Sequence, residues 1–173
     1  GGMNMYDVVA LGELLIDFTT QSTDADGYPT MAAHPGGAPA NFLAAIAKFG
    51  GKAALLGKVG TDTFGKLLTD TLRKAGIETK GIVASDDVFT TLAFVTLDEN
   101  GDREFAFARK PGADTQLRFE ELDLSILDET RVFAQAKFAD GEILQSAHGL
   151  HAVQYVVRHF YATEQVAFGA CFL

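Results

Sequence analysis

A chain of 173 residues with 47% apolar side chains suits one compact domain with a real hydrophobic core. Its 14 basic and 23 acidic residues leave a formal charge of −9, which repels a phosphate backbone, and no basic stripe reverses this locally, so nucleic acid is excluded as a partner. No apolar run reaches the roughly 18 residues of a membrane span, and no basic stretch leads into an apolar core with a small-residue cleavage site. The expectation is a soluble, unsecreted protein with no membrane partner. The single cysteine, Cys171, cannot form an internal disulfide, which fits a reducing cytoplasm. Gly1 and Gly2 ahead of Met3 read as a tag remnant and carry no fold information.

The chain alternates short β-like runs with amphipathic helices, the pattern of an α/β domain built on a mainly parallel sheet. Tyr6-Asp7-Val8-Val9-Ala10-Leu11-Gly12 is nearly continuously apolar, as a strand covered on both faces should be. Thr19 to His34 is rich in Thr, Asp, Gly and Pro and reads as loop or a short edge hairpin. Pro39 can open a helix in which Phe42, Leu43, Ile46 and Phe49 recur at helical spacing, with Gly50-Gly51 as its stop. Ala53 to Val59 reads as a second buried strand. Thr61 or Asp62 then caps a helix with Phe64, Leu67, Leu68, Leu72 and Ala75 on its apolar face, closed by Gly76. Thr91 to Asp98 and Arg103 to Arg109 alternate on either side of Asn100-Gly101, which predicts an antiparallel hairpin over about 91–109 standing apart from the parallel layer. No repeat or linker divides the chain, so residues 1–173 are read as a single domain, although its character changes after Phe133.

The most informative motif is Gly36-Gly37-Ala38-Pro39-Ala40-Asn41. Two glycines allow close backbone approach, a helix start offers free N–H groups, and the Asn41 amide can both donate and accept. Such a site suits a polyhydroxylated ligand; an ordinary loop-to-helix junction uses the same residues. Asp17 follows the first strand in Gly12-Glu13-Leu14-Leu15-Ile16-Asp17, near the carboxyl end where open α/β sheets bind ligands. Its carboxylate can accept two sugar hydroxyls; as a lone Asp after a strand it also suits a solvated loop or a helix cap.

Together these residues resemble the N-terminal signature of the ribokinase-like (PfkB) sugar kinases. A strand ends in Gly-Glu, an Asp follows, and then come Gly-Gly-x-Pro-x-Asn, a helix, Gly50 and Gly60. The likeness runs from about Tyr6 to Phe133 and takes in Gly57-Lys58-Val59-Gly60-Thr61-Asp62-Thr63-Phe64-Gly65. Phe107-Ala108-Arg109-Lys110-Pro111-Gly112-Ala113-Asp114 is similar to fructokinases in particular. One departure is Leu43, where the family usually has a small residue.

The resemblance implies a three-layer α/β/α domain, truncated, with a small antiparallel β lid that often serves as a dimer contact, so self-association into a homo-oligomer is expected. It implies that Asp17, Gly36, Gly37 and Asn41 hold a small-molecule sugar while Phe105, Phe107 and Arg109 close the pocket. Phe105 and Phe107 equally suit the buried face of a lid or dimer interface, and Arg109 a solvated position. It implies ATP and magnesium as cofactors, used to phosphorylate a ketose such as fructose. The family's catalytic segment is a Gly-Ala-Gly-Asp element at a helix start, and none occurs here: Gly112-Ala113-Asp114 and Phe168-Gly169-Ala170-Cys171 are only partial echoes, so no catalytic residue is assigned.

No other chemistry fills that gap. The chain has neither a Gly-x-Gly-x-x-Gly after its first strand nor a Gly-x-x-x-x-Gly-Lys-Ser/Thr loop. His148 and His151 are spaced as a metal pair, but no carboxylate or cysteine has matching ligand spacing, and no metal is assigned to residues of this sequence. Residues 134–173 diverge from the family pattern, although Ile143, Ala147, Leu150, Val153, Val157 and Tyr161 keep helical spacing. Two readings follow: an ATP-dependent ketose kinase that is inactive as this chain alone, or a non-catalytic sugar-binding or dimerisation module derived from one. A nucleoside or another sugar is a third ligand class the scaffold admits.

Overall fold

The structure, a computed structural model, describes residues 6–97, 102–128 and 130–135. Expectations for residues 136–173, including the helical spacing after Ile143 and the histidine pair, lie outside the described residues.

Strand β1 (Tyr6–Leu11) is buried on both faces, as its unbroken apolar run requires. The chain then leaves for a second sheet through β2 (Leu15–Thr23) and β3 (Pro29–Gly36), which pair antiparallel from Leu15↔Gly36 to Thr23↔Pro29. Of the two readings of this stretch, loop or a short edge hairpin, the structure shows the edge hairpin, with strands longer than expected. Pro29, and Pro35 just beyond the stretch, are tolerated because β3 is an edge strand, where a residue without N–H costs no ladder bond on the open side.

Helix α1 (Ala38–Lys48) follows at once, with Pro39 in its first turn. Leu43 is fully buried and Ala40 nearly so, but Phe42 and Phe49 are 44% and 89% exposed, so the apolar face is narrower than the phenylalanine spacing suggested. Gly50, at φ 85°, lets the chain turn back into β4 (Ala53–Gly60), every residue of which is buried. Asp62 caps α2 (Thr63–Lys74), accepting from the amides of Phe64 at 2.9 Å and Gly65 at 3.1 Å. Leu68 and Leu72 face the core; Leu67, expected beside them, is 40% exposed.

Two short strands, β5 (Ile77–Glu78) and β6 (Ile82–Ser85), both lie parallel to β4. The expected hairpin is present as β7 (Leu92–Leu97) and β8 (Arg103–Ala108), with its turn, residues 98–101, outside the described residues. It joins the second sheet in the order β3-β2-β7-β8, and β7 runs parallel to β2, so that sheet is mixed and not purely antiparallel. Single-turn 3-10 segments at Ala113–Gln116 and Phe119–Glu121 and the short α3 (Ser125–Asp128) lead into β9 (Thr130–Gln135), parallel to β1. β9 extends two residues past Phe133, where the sequence likeness faded.

The main sheet, β5-β4-β1-β9 with β6 beside β4, therefore sits between two layers. Val8, Ala10, Ala53 and Leu55 pack with Leu43 of α1 and Leu68 and Leu72 of α2. Tyr6, Val9, Leu11, Ala54 and Leu56 pack on the other side with Leu117 and Ile126. Lys58, 5% exposed in β4, reaches into that second layer and meets Glu121 at 2.7 Å. Burial pushes the Glu121 carboxyl up, but the Lys58 ammonium and the Arg118 amide outweigh it and hold it below its ordinary range.

Candidate functional site

The chain crosses between the two sheets four times: after β1, after β3, before β7 and after β8. Hydrogen bonds tie three of these crossings, all but the one after β3, at one seam. The Ile16 amide donates to the Thr91 carbonyl at 3.1 Å, and the Ala113 amide donates to the Phe89 carbonyl at 2.9 Å. Asp62, besides capping α2, accepts from the Thr90 amide at 2.8 Å, while the Thr90 hydroxyl accepts from the Gly60 amide at 3.0 Å.

The strand register sorts the second sheet into two faces. Asp17 pairs with His34 on one side and Ala93 on the other, and Ala93 pairs with Phe107; the next rung of the same face carries Thr19, Val95 and Phe105. The opposite face carries Ile16, Phe18, Leu92 and Phe94. There Phe18 stacks on Phe94 at 5.3 Å and meets Phe64 of α2 edge-on at 5.6 Å. One face is thus anchored to the body. The other presents a carboxylate and two aromatic rings, with Phe105 53% and Phe107 43% exposed and their rings stacked at 6.2 Å.

Asp17 lies within β2, not in a loop behind β1. Its carboxylate is partly buried, and that burial pushes its pKa above the ordinary value, with His34 on the neighbouring strand working against the shift. Gly36 is what admits it: a Cβ there would overlap Asp17 Oδ2. Gly37, at φ 112°, lies so close to the loop after β1 that a Cβ would come within 2.5 Å of the Glu13 carbonyl oxygen. The glycine pair therefore presses the α1 start against both Glu13 and Asp17, which a plain loop-to-helix junction does not need. Asn41, in the first turn of α1, has an exposed side chain while its amide closes the helix onto Gly37.

Arg109 is only 11% exposed, so it is not the solvated residue that its position after the hairpin allowed. Its Nη2 donates to Glu13 Oε2 at 2.8 Å and to Asp114 Oδ2 at 2.7 Å, and its guanidinium carbon lies 5.0 Å from the centre of the Phe107 ring. Burial alone would lower the guanidinium pKa, but Asp114 and Glu13 outweigh it and raise it. The Asp114 side chain is fully buried, and its other oxygen accepts from the Thr91 hydroxyl. Sequence reasoning set Asp114 aside as an echo of a catalytic motif and did not weigh Glu13, Thr91, His34 or Ala93. Glu13 was visible as the second letter of Gly-Glu after a strand; His34 and Ala93 are defined only by strand register, and Thr91 only by its bonds to Asp114 and Ile16.

A three-layer body, a second sheet laid against it, and a carboxylate beside a glycine-led helix start define the ribokinase-like class of α/β fold. The chain belongs to the pfkB family of carbohydrate kinases, whose profile matches residues 5–155. Fructokinase-2 of Oryza sativa subsp. japonica is 43% identical over 131 residues, covering 73% of this chain and 38% of that protein. The crystal structure of fructokinase from Xylella fastidiosa superposes with a TM-score of 0.79 at 32% identity, over 90% of this chain and 47% of that one, and the same protein has been solved with bound ATP. A structure from E. coli in complex with ATP and Mg2+ gives 0.77 at 29% identity, over 91% and 50%. The chain spans half or less of the length of these relatives.

Proposed function

We propose that this chain supplies the sugar-binding side of an ATP-dependent ketose kinase, with fructose as the ketose. The observation that carries the reading is the carboxylate of Asp17, seated against Gly36 on the open face of the second sheet, one strand from Ala93 and two from Phe107. A partly buried carboxylate can accept two vicinal hydroxyls, the Asn41 amide and the α1 start offer further polar groups, and an aromatic ring gives the apolar face of a sugar ring something to lie on. Asp17, Gly36, Gly37 and Asn41 form the polar side of this site, and Phe105 and Phe107 the aromatic side. With two carboxylates against one guanidinium, the Glu13–Arg109–Asp114 group offers no free positive charge, which favours an uncharged ligand over a sugar acid or sugar phosphate.

ATP and magnesium come to this reading from the family. No group of three or more His, Cys, Asp or Glu side chains lies together as a metal site among the described residues, and the 173 residues hold no Gly-Ala-Gly-Asp element. Neither cofactor is therefore assigned to a described residue, and phosphoryl transfer is assigned to none of them.

The test is calorimetric titration of the chain with fructose, run beside an ADP-release assay with fructose, ATP and magnesium. Saturable fructose binding without turnover is the expected result; absence of binding would refute the reading, and turnover would show that the catalytic groups are within these residues after all. A second reading, a dimerisation module, is favoured by the exposed Phe105 and Phe107 on the open face.

A further inference from the structure

Arg109 holds together three of the four crossings between the sheets. It follows β8 directly, its Nη2 contacts Glu13 in the β1–β2 loop, and the same nitrogen contacts Asp114, whose second oxygen is held by Thr91 at the start of β7. The guanidinium carbon lies over the Phe107 ring, 5.0 Å from its centre. Phe107 shares its rung with Ala93 and Asp17, with only the Ala93 methyl on the strand between them. Whatever fixes the end of β8 therefore fixes the spacing between the aromatic and the acidic sides of the site.

We propose that Arg109 is a positioning residue: it braces the end of β8 against the body so that Phe107 stands opposite Asp17, and it acts on the ligand through Phe107 and not by contact. The proposal rests on the sugar-binding reading above for its effect on affinity, but the brace itself does not. Lysine cannot replace arginine here. A single ammonium on a flexible stem has no planar group to lay against a ring, and its strong hydration opposes the burial that Arg109 has.

The experiment is a double-mutant cycle on fructose affinity with Arg109→Lys, Phe107→Leu and the pair, measured by calorimetry. Each single change is expected to weaken fructose by about tenfold, and the pair by no more than the worse single. Independent, multiplying losses would overturn the proposal, because they would mean that Arg109 contacts the sugar in its own right. Amide hydrogen exchange on the same proteins, with α2 as internal reference, is expected to quicken across 103–108 in Arg109→Lys. Glu13→Gln, which keeps the buried Asp114 pair and so protects the fold, is expected to show the same change more weakly. Unchanged exchange in both variants would sink the brace. If the unmodified chain binds no fructose, the functional reading fails while exchange still decides the brace.

Discussion

Asp17 keeps a carboxylate where burial opposes its charge, and Gly36 keeps the space for it. A carboxyl whose pKa is raised by folding binds more protons in the native state than in the unfolded one, so stability falls as pH rises from the ordinary carboxylate value through the folded value. The penalty is absent below that window and complete above it. Asp17→Asn is accordingly expected to be slightly more stable than the unmodified chain at neutral pH, to lose that advantage in acid, and to bind fructose poorly; urea denaturation at both pH values with calorimetry would check all three. Gly36→Ala places a methyl on Asp17 Oδ2 and should cost about 1–3 kcal/mol along with fructose affinity, readable as a lower urea midpoint. Both residues were legible as candidates from the glycine pair and the Asp after a strand. Their mutual contact was not, because it depends on which residue of β3 falls beside which residue of β2, and a one-residue slip would turn Asp17 to the other face.

The elements show the same division between local signals and register. Asp62 was readable as a cap from its place before an apolar run. Burial pushes its carboxyl up, but the amides of Thr90, Gly65 and Phe64 outweigh this and leave it below its ordinary range. Its contribution is therefore present above the ordinary carboxylate pKa and is lost as pH falls through the folded value. Asp62→Ala should cost about 1–2 kcal/mol at neutral pH, with a smaller difference in acid, measured by guanidinium denaturation. The β7–β8 strands were legible from alternation and an Asn-Gly turn. For β2 and β3 the edge hairpin was one of two readings and its length was not legible, since Thr19 to His34 has the composition of a loop and is held as strand by its neighbours: β7 on one side and the stack of Phe18 on Phe94 below. Phe42 and Phe49 recur with Leu43 and Ile46 at helical spacing, but the face of α1 that meets β1 and β4 is centred on Leu43 and Ala40.

At the scale of the whole molecule, the exposed rings on the open face of the second sheet make association between copies the expectation. Phe105 stands farther from Asp17 along that face than Phe107 does, and removing it should weaken self-contact more than ligand contact. Phe105→Ser is expected to shift the chain toward monomer in size-exclusion chromatography across a concentration series; a chain that elutes as monomer at every concentration before the change would count against association.

The pairing of β2 with β7 also sets an order of events in time. It aligns residues 16–19 with 92–95, so the second sheet cannot form until a loop spanning most of the intervening chain has closed. α1, β4 and α2 lie within that loop and β1 just before it, and these four can dock on one another first, through contacts closer in sequence. Asp17 and Phe107 would then meet only when the final long-range register is made. Fructose capacity should thus appear in the last kinetic phase of refolding, all at once, and a fragment carrying either hairpin alone should have none of it.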